Sequence, residues 1–379
     1  MPSILDIKFG ARDIIMINNI NNSQNTTSSK TLFKNNYYLA SIGILVASAG
    51  LIITRVLYGL GVFDGLPDAL FDFLGSFIIQ IIFITGGGLI ALLVQQRLNN
   101  KNRLNLEGGV SLKKRFLDMG FRLPRIYLIP LSFVLGILFL IMTAGVSFIN
   151  TIILLMFGYN FPSSAPEAVG GVGLFLLALF NSAVLPGVCE EFLNRGLILR
   201  GLRDTMRDKY AIIISALLFG LMHANIRQTL YTFAGGIVLA IITIKTRSIL
   251  PAMIIHFMNN GVAVYLEHAS YNGWIGGNLD SFLESHFLLA VVLWVVFTAL
   301  FIAAIYFIVK AEDKHYQKKD QNAQQENSQI LLPHQTPFGA FFVRNAPLYK
   351  PKLEDKVIMY TSVFLMTLVT ILTFYMGLF

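Results

Sequence analysis

The sequence predicts an all-α fold, a polytopic membrane helical bundle of about nine transmembrane helices with its N-terminus cytoplasmic, and three observations carry that expectation. The first is composition. Of 379 residues, 55% are hydrophobic and 13% charged, with a mean hydropathy of +0.65, too apolar and too charge-poor for a soluble chain of this length. The second is the recurrence of apolar runs close to the ~20 residues that span a bilayer. The third is the distribution of basic residues. With the runs taken as spans and the loops numbered alternately from a cytoplasmic N-terminus, all 29 Lys and Arg except Arg55 and Arg227 fall inside, which is the asymmetry that orients membrane proteins. The net charge of +8 is thus accounted for by orientation and does not indicate nucleic acid.

Residues 1–36 read as a polar leader, partly disordered, because NNSQNTTSSK at 21–30 has no apolar period. No signal-peptide pattern precedes the first apolar run, which is expected to be kept as a signal anchor. A membrane core covers 37–310. Its spans are expected at 37–59, 73–95, 126–148, 170–194, a short fifth at 210–225, then 229–246, 250–266 and 287–310. The loops at 60–72, 158–168 and 267–286 carry Asp and Glu but no Lys or Arg and are placed outside. The run KAEDKHYQKKDQNAQQENSQ opens a polar cytoplasmic segment at 311–356, and a final transmembrane helix lies within 357–379.

Polar clusters interrupt the apolar runs between 170 and 268. Ionisable groups at membrane depth are costly, so they normally face a protein interior or wet cavity and serve a function. Glu191 and Arg195 are four apart and suit an intrahelical ion pair. Glu190 points about 100° away from Glu191. It has no basic residue three or four positions off on its own helix, which leaves it available as a general base. His223 ends the apolar helix LLFGLMHAN, with Phe219 one turn before it. His256 and Asn260 share a helix face and are two side-chain donors suited to a developing oxyanion. Asn259 competes for the amide role. Counted from Arg203, Tyr210 and Ser248 at 1.5 Å per residue, Glu190 and His223 lie ~20 Å deep and His256 and Asn260 ~12–18 Å deep. One shared site opening toward the cytoplasm follows, provided that the Glu190 helix continues past Arg195 toward Arg203. Cys189, the single cysteine, has no histidine at helical spacing and reads as a small hydrophobe.

Taken together, Glu190-Glu191-x-x-x-Arg195, Phe219-x-x-x-His223 and His256-x-x-x-Asn260 resemble, in order and spacing, the three motifs of the CAAX protease and bacteriocin-processing family of intramembrane glutamic endopeptidases. The family includes the Ras-converting CAAX endopeptidases. The resemblance covers 170–268; the last two helices and the polar segment between them have no counterpart in it. It implies an enzyme of the bilayer that cuts a membrane-associated peptide or protein with no cofactor. Glu190 and His223 would activate water, His256 and Asn260 would steady the tetrahedral intermediate, and Glu191 and Arg195 would support them.

Two alternatives stay open on the residues alone. Glu190, His223 and His256 form a zinc-ligand set by type, although no H-E-x-x-H helix is present. A non-catalytic immunity or scaffold protein would hold a peptide or helix in the same cavity. A transporter is disfavoured because the two halves show no inverted repeat of broken helices. The expected location is the cell membrane, multi-pass, with the active site on the cytoplasmic side.

Overall fold

The computed structural model describes residues 36–62, 65–66, 68–102, 112–161, 170–326, 351 and 353–376, and among them every regular element is helical. Residues 1–35 of the leader and 327–350 of the polar segment lie outside the described residues.

The chain runs through α1 (Asn36–Gly59), α2 (68–102), α3 (Leu112–Asp118), α4 (Leu128–Met156), α5 (Gly171–Thr205), α6 (Asp208–Met222), α7 (Ile226–Thr246), α8 (Leu250–Asn272), α9 (Leu279–Ser285), α10 (Phe287–Glu326) and α11 (Leu353–Met376). A helix stands at each of the nine expected positions. Only seven of the described helices are long and apolar enough to cross a membrane, so nine crossings are not confirmed. The two others fall short for separate reasons. At 15 residues, α6 reaches only ~22 Å, less than the ~30 Å hydrocarbon core. α8 has the length, 23 residues, but His256, Asn259, Asn260, Glu267 and His268 break its apolar run.

Helix ends also move. α5 does continue through Arg195 to Thr205, and Arg203 there makes a two-pronged pair with Asp208 at 3.0 Å. α10 continues past the expected end at 310 and clasps its neighbours. Glu312 is fully buried and accepts from Arg125 at 3.1 Å and Tyr127 at 2.5 Å. Lys245 donates to both oxygens of Asp313 at 2.7 and 2.9 Å. Tyr316 donates to the Thr246 carbonyl at 3.2 Å and lies under the Arg247 guanidinium at 4.1 Å. Burial, the hydrogen bond to Glu312 and that carboxylate's charge push the Tyr127 phenol up to about 12, so it remains a donor at neutral pH.

Two apolar clusters hold the bundle. One joins Ile44 of α1, Ile84 of α2, Leu193 and Ile198 of α5, Leu218 of α6, Ala240 of α7 and Met366 of α11. The other joins Leu135 and Phe139 of α4, Leu239 and Ile242 of α7, Ile255 of α8 and Phe301 of α10. α7 belongs to both. It approaches α6 so closely that a Cβ on Gly220 would lie 2.8 Å from the Thr229 carbonyl oxygen and one on Gly236 would lie 3.0 Å from Ala216. Small residues permit this backbone approach where lipid supplies no hydrophobic drive between helices.

Three stretches widen from α to π geometry: Ile78–Gly86 in α2, and Phe180–Val184 and Phe192–Ile198 in α5. π turns are rare and concentrate at functional sites. The two in α5 flank the Glu190-Glu191 pair.

Candidate active site

Glu191 is the most enclosed of the predicted residues. It is fully buried, and its Oε1 accepts from Arg195 Nη1 at 2.8 Å and from His256 Nδ1 at 2.8 Å. The expected ion pair one turn along α5 is therefore present, and it also reaches α8. Arg195 lies over the Phe219 ring of α6 at 4.5 Å, and its Nη2 approaches the Gly236 carbonyl of α7 at 3.5 Å. A guanidinium enclosed this way is matched in charge by the carboxylate and in shape by the ring. Four helices thus converge on one buried pair.

Glu190 points elsewhere, as a 100° step around the helix requires. Its Oε1 accepts from Gln80 Nε2 of α2 at 2.6 Å, while its Oε2 has no hydrogen-bond partner among the described residues. Sequence spacing predicts no partner on its own helix, and the partner comes from another helix 110 residues earlier.

His223 sits at the end of α6, with Nδ1 2.9 Å from the Phe219 carbonyl oxygen. A carbonyl only accepts, so Nδ1 carries the proton and Nε2 of the neutral ring holds the lone pair. Phe219 meets His223 edge-on at 5.1 Å and His256 edge-on at 5.8 Å between ring centres. The turn after His223 places Ala224 at φ +47, and Arg55 of α1 donates to the Ala224 carbonyl at 2.5 Å. That contact employs one of the two basic residues outside the inside set.

His256 has Nδ1 committed to Glu191, so its Nε2 donates only when the ring is doubly protonated, with Glu191 as counter-charge. Asn260 and Asn259 are linked. Asn259 Nδ2 donates to Asn260 Oδ1 at 2.8 Å, and Asn260 Nδ2 donates to the Ser182 carbonyl at 2.8 Å. Thr143 Oγ1 of α4 lies 3.0 Å from Asn259 Oδ1. An amide nitrogen has two hydrogens, so Asn260 keeps one beyond its bond to Ser182.

Glu190, His223, His256 and Asn260 all line one cavity of about 570 Å³, together with Asn259, Tyr231 and Ser76. Phe139, Leu140, Leu239 and Val264 give it apolar walls. Glu191 and Arg195 are not among the lining residues; they lie behind it. Cys189 is buried and is likewise absent from the lining. Among the described residues no three of His, Cys, Asp and Glu are grouped to hold a metal ion, so Glu190, His223 and His256 do not form the convergent set that a zinc reading requires. Gln80, Thr143 and Ser182 escape sequence reasoning, since each lies in a largely apolar run and gains its meaning only from another helix, Ser182 through its backbone carbonyl.

A family model described as Type II CAAX prenyl endopeptidase Rce1-like matches residues 172–262, roughly a quarter of the chain. This stretch contains every residue of the three motifs, and the match bears out the resemblance to the CAAX proteases. At family level the likeness is to a CAAX-type intramembrane protease, a hydrolase. No curated protein and no solved structure matches the chain.

Proposed function

We propose that this protein is an intramembrane endopeptidase that hydrolyses a peptide bond in a membrane-associated peptide or protein, using water activated by Glu190 and His223. The observation that carries this reading is that four polar residues from three helices, all within the family-matched stretch, line a single cavity.

In the proposed reaction, the free Oε2 of Glu190 and the Nε2 lone pair of His223 receive water between them. Glu190 takes a proton as the water oxygen attacks the scissile carbonyl. The resulting oxyanion is met by the second N–H of Asn260 and by His256 Nε2 when that nitrogen carries a proton. The proton on Glu190 then passes to the amide nitrogen as the C–N bond breaks, giving an acid and an amine. Donors fixed before reaction stabilise such an oxyanion far better than mobile water does. Glu191 and Arg195 keep His256 in place. The substrate is a membrane-anchored peptide or protein tail, presented from the cytoplasmic side of the cell membrane.

The test is cleavage of a fluorogenic membrane-peptide library by detergent-purified protein, with Glu190→Gln alongside and each assayed with and without a zinc chelator. Activity lost in Glu190→Gln and kept with the chelator is expected. Chelator-sensitive cleavage would transfer the reaction to zinc. An inactive wild type whose Glu190→Gln variant still functions in cells would assign a binding or immunity role instead.

A further inference from the structure

We propose that Gln80 is a positioning residue for the base: by donating to Oε1 of Glu190, it determines which carboxylate oxygen is left without a protein partner and fixes the pose of the carboxylate at the cavity wall. This inference rests on the glutamate-base reading above.

Gln80 is 7% exposed in the stretch Ile78–Gly86, where Thr85 is the one other polar side chain. Burying an amide donor without a partner is costly, so a glutamine at this depth calls for one. Its Nε2 donates to Glu190 at 2.6 Å, a short bond for an amide N–H on a carboxylate oxygen. The helix is adapted at the same place. Thr85 Oγ1 donates to the Gln80 carbonyl at 2.9 Å, five residues back, which is π rather than α spacing. α2 therefore widens where it must bring this side chain to α5.

A glutamate side chain has three rotatable bonds and two equivalent oxygens, so an untethered base samples many poses. The bond to Gln80 occupies Oε1. Oε2 is buried and left without a partner among the described residues, on a side chain that lines the same cavity as His223. Gln80 lies outside the stretch matched by the family model, so the site draws on a helix the match does not include.

The alternative role for such a glutamine is interhelical glue, which contributes to stability and nothing to turnover. Gln80→Met keeps the length and removes the donor; Gln80→Asn keeps the amide one carbon shorter. With full-length protein in detergent, Gln80→Met is expected to lower kcat roughly 10- to 100-fold while KM stays within about twofold, as for an interaction needed only in the transition state. Gln80→Asn is expected to regain part of the loss. An unchanged kcat in a folded Gln80→Met variant, or equal losses in both variants, would overturn the proposal.

A second readout needs no turnover. Infrared difference spectra of wild type minus Glu190→Gln isolate the Glu190 carboxylate band, and Gln80→Met is expected to shift it. A band that stays in place denies the bond. A shifted band in a protein that cleaves nothing keeps the positioning contact and removes the protease reading instead.

Discussion

One oxygen of Glu191 accepts from both Arg195 and His256, and this sharing makes the pair behind the cavity sensitive to either loss. Removing one partner from a buried ion pair leaves the other charge uncompensated and costs roughly 3–5 kcal/mol. Arg195→Met is therefore expected to lower the unfolding midpoint sharply in a detergent melt; a change of less than a degree would show that the guanidinium is not buried as described. Asn260 carries a different expectation. Removing an oxyanion donor costs roughly 10²–10³ in kcat, so Asn260→Ala should fold, bind peptide and turn over slowly. Normal turnover in that variant would move the donor role to Asn259 or His256. At this scale the sequence was most informative. Pairs four residues apart on one helix, Glu191 with Arg195 and His256 with Asn260, are visible as spacing. Contacts between helices, such as Gln80 with Glu190 or Glu191 with His256, have no sequence-local signature.

Among elements, the hairpin of α6 and α7 positions His223 through close backbone contact. A side chain at Gly220 has no room against the Thr229 carbonyl, so Gly220→Val should spread the hairpin, displace His223 and lower activity more than Gly173→Val, a site where an added Cβ meets nothing within 4 Å. Equal activity in the two variants would refute the tight contact. The α10 clasp divides similarly. Lys245 and Asp313 are each partly exposed, so Asp313→Ala should cost less than about 1 kcal/mol and less still in high salt. Glu312→Ala, which strips a buried acceptor from Arg125 and Tyr127, should cost more in the same melts. The positions of the long helices follow from hydropathy because burial in lipid or in protein selects the same apolar residues. Their ends and their π turns do not, since a polar extension such as 311–326 has no hydropathic signal and a uniformly apolar run reads alike in either helix type.

For the whole molecule, the distribution of Lys and Arg makes a prediction that geometry alone does not. Cys189 is the single cysteine, so Cys189→Ser gives a background for labelling. In that background Ser270→Cys is expected to react with an impermeant maleimide added outside intact cells, and Gln317→Cys only after permeabilisation. The reverse pattern would invert the bundle. Helix α11 adds a different kind of consequence. The amide of Ile226, which opens α7 just beyond His223, donates at 3.1 Å to Thr373 of α11, 147 residues later. Ser41 of α1 donates to the Asp355 carbonyl at 3.3 Å, across 314 residues. During synthesis, the stretch carrying the motifs emerges and inserts long before these braces exist. A nascent chain halted before α11 would hold every motif residue yet lack the brace at the His223 turn, so maturation of the site is tied to the insertion of α11.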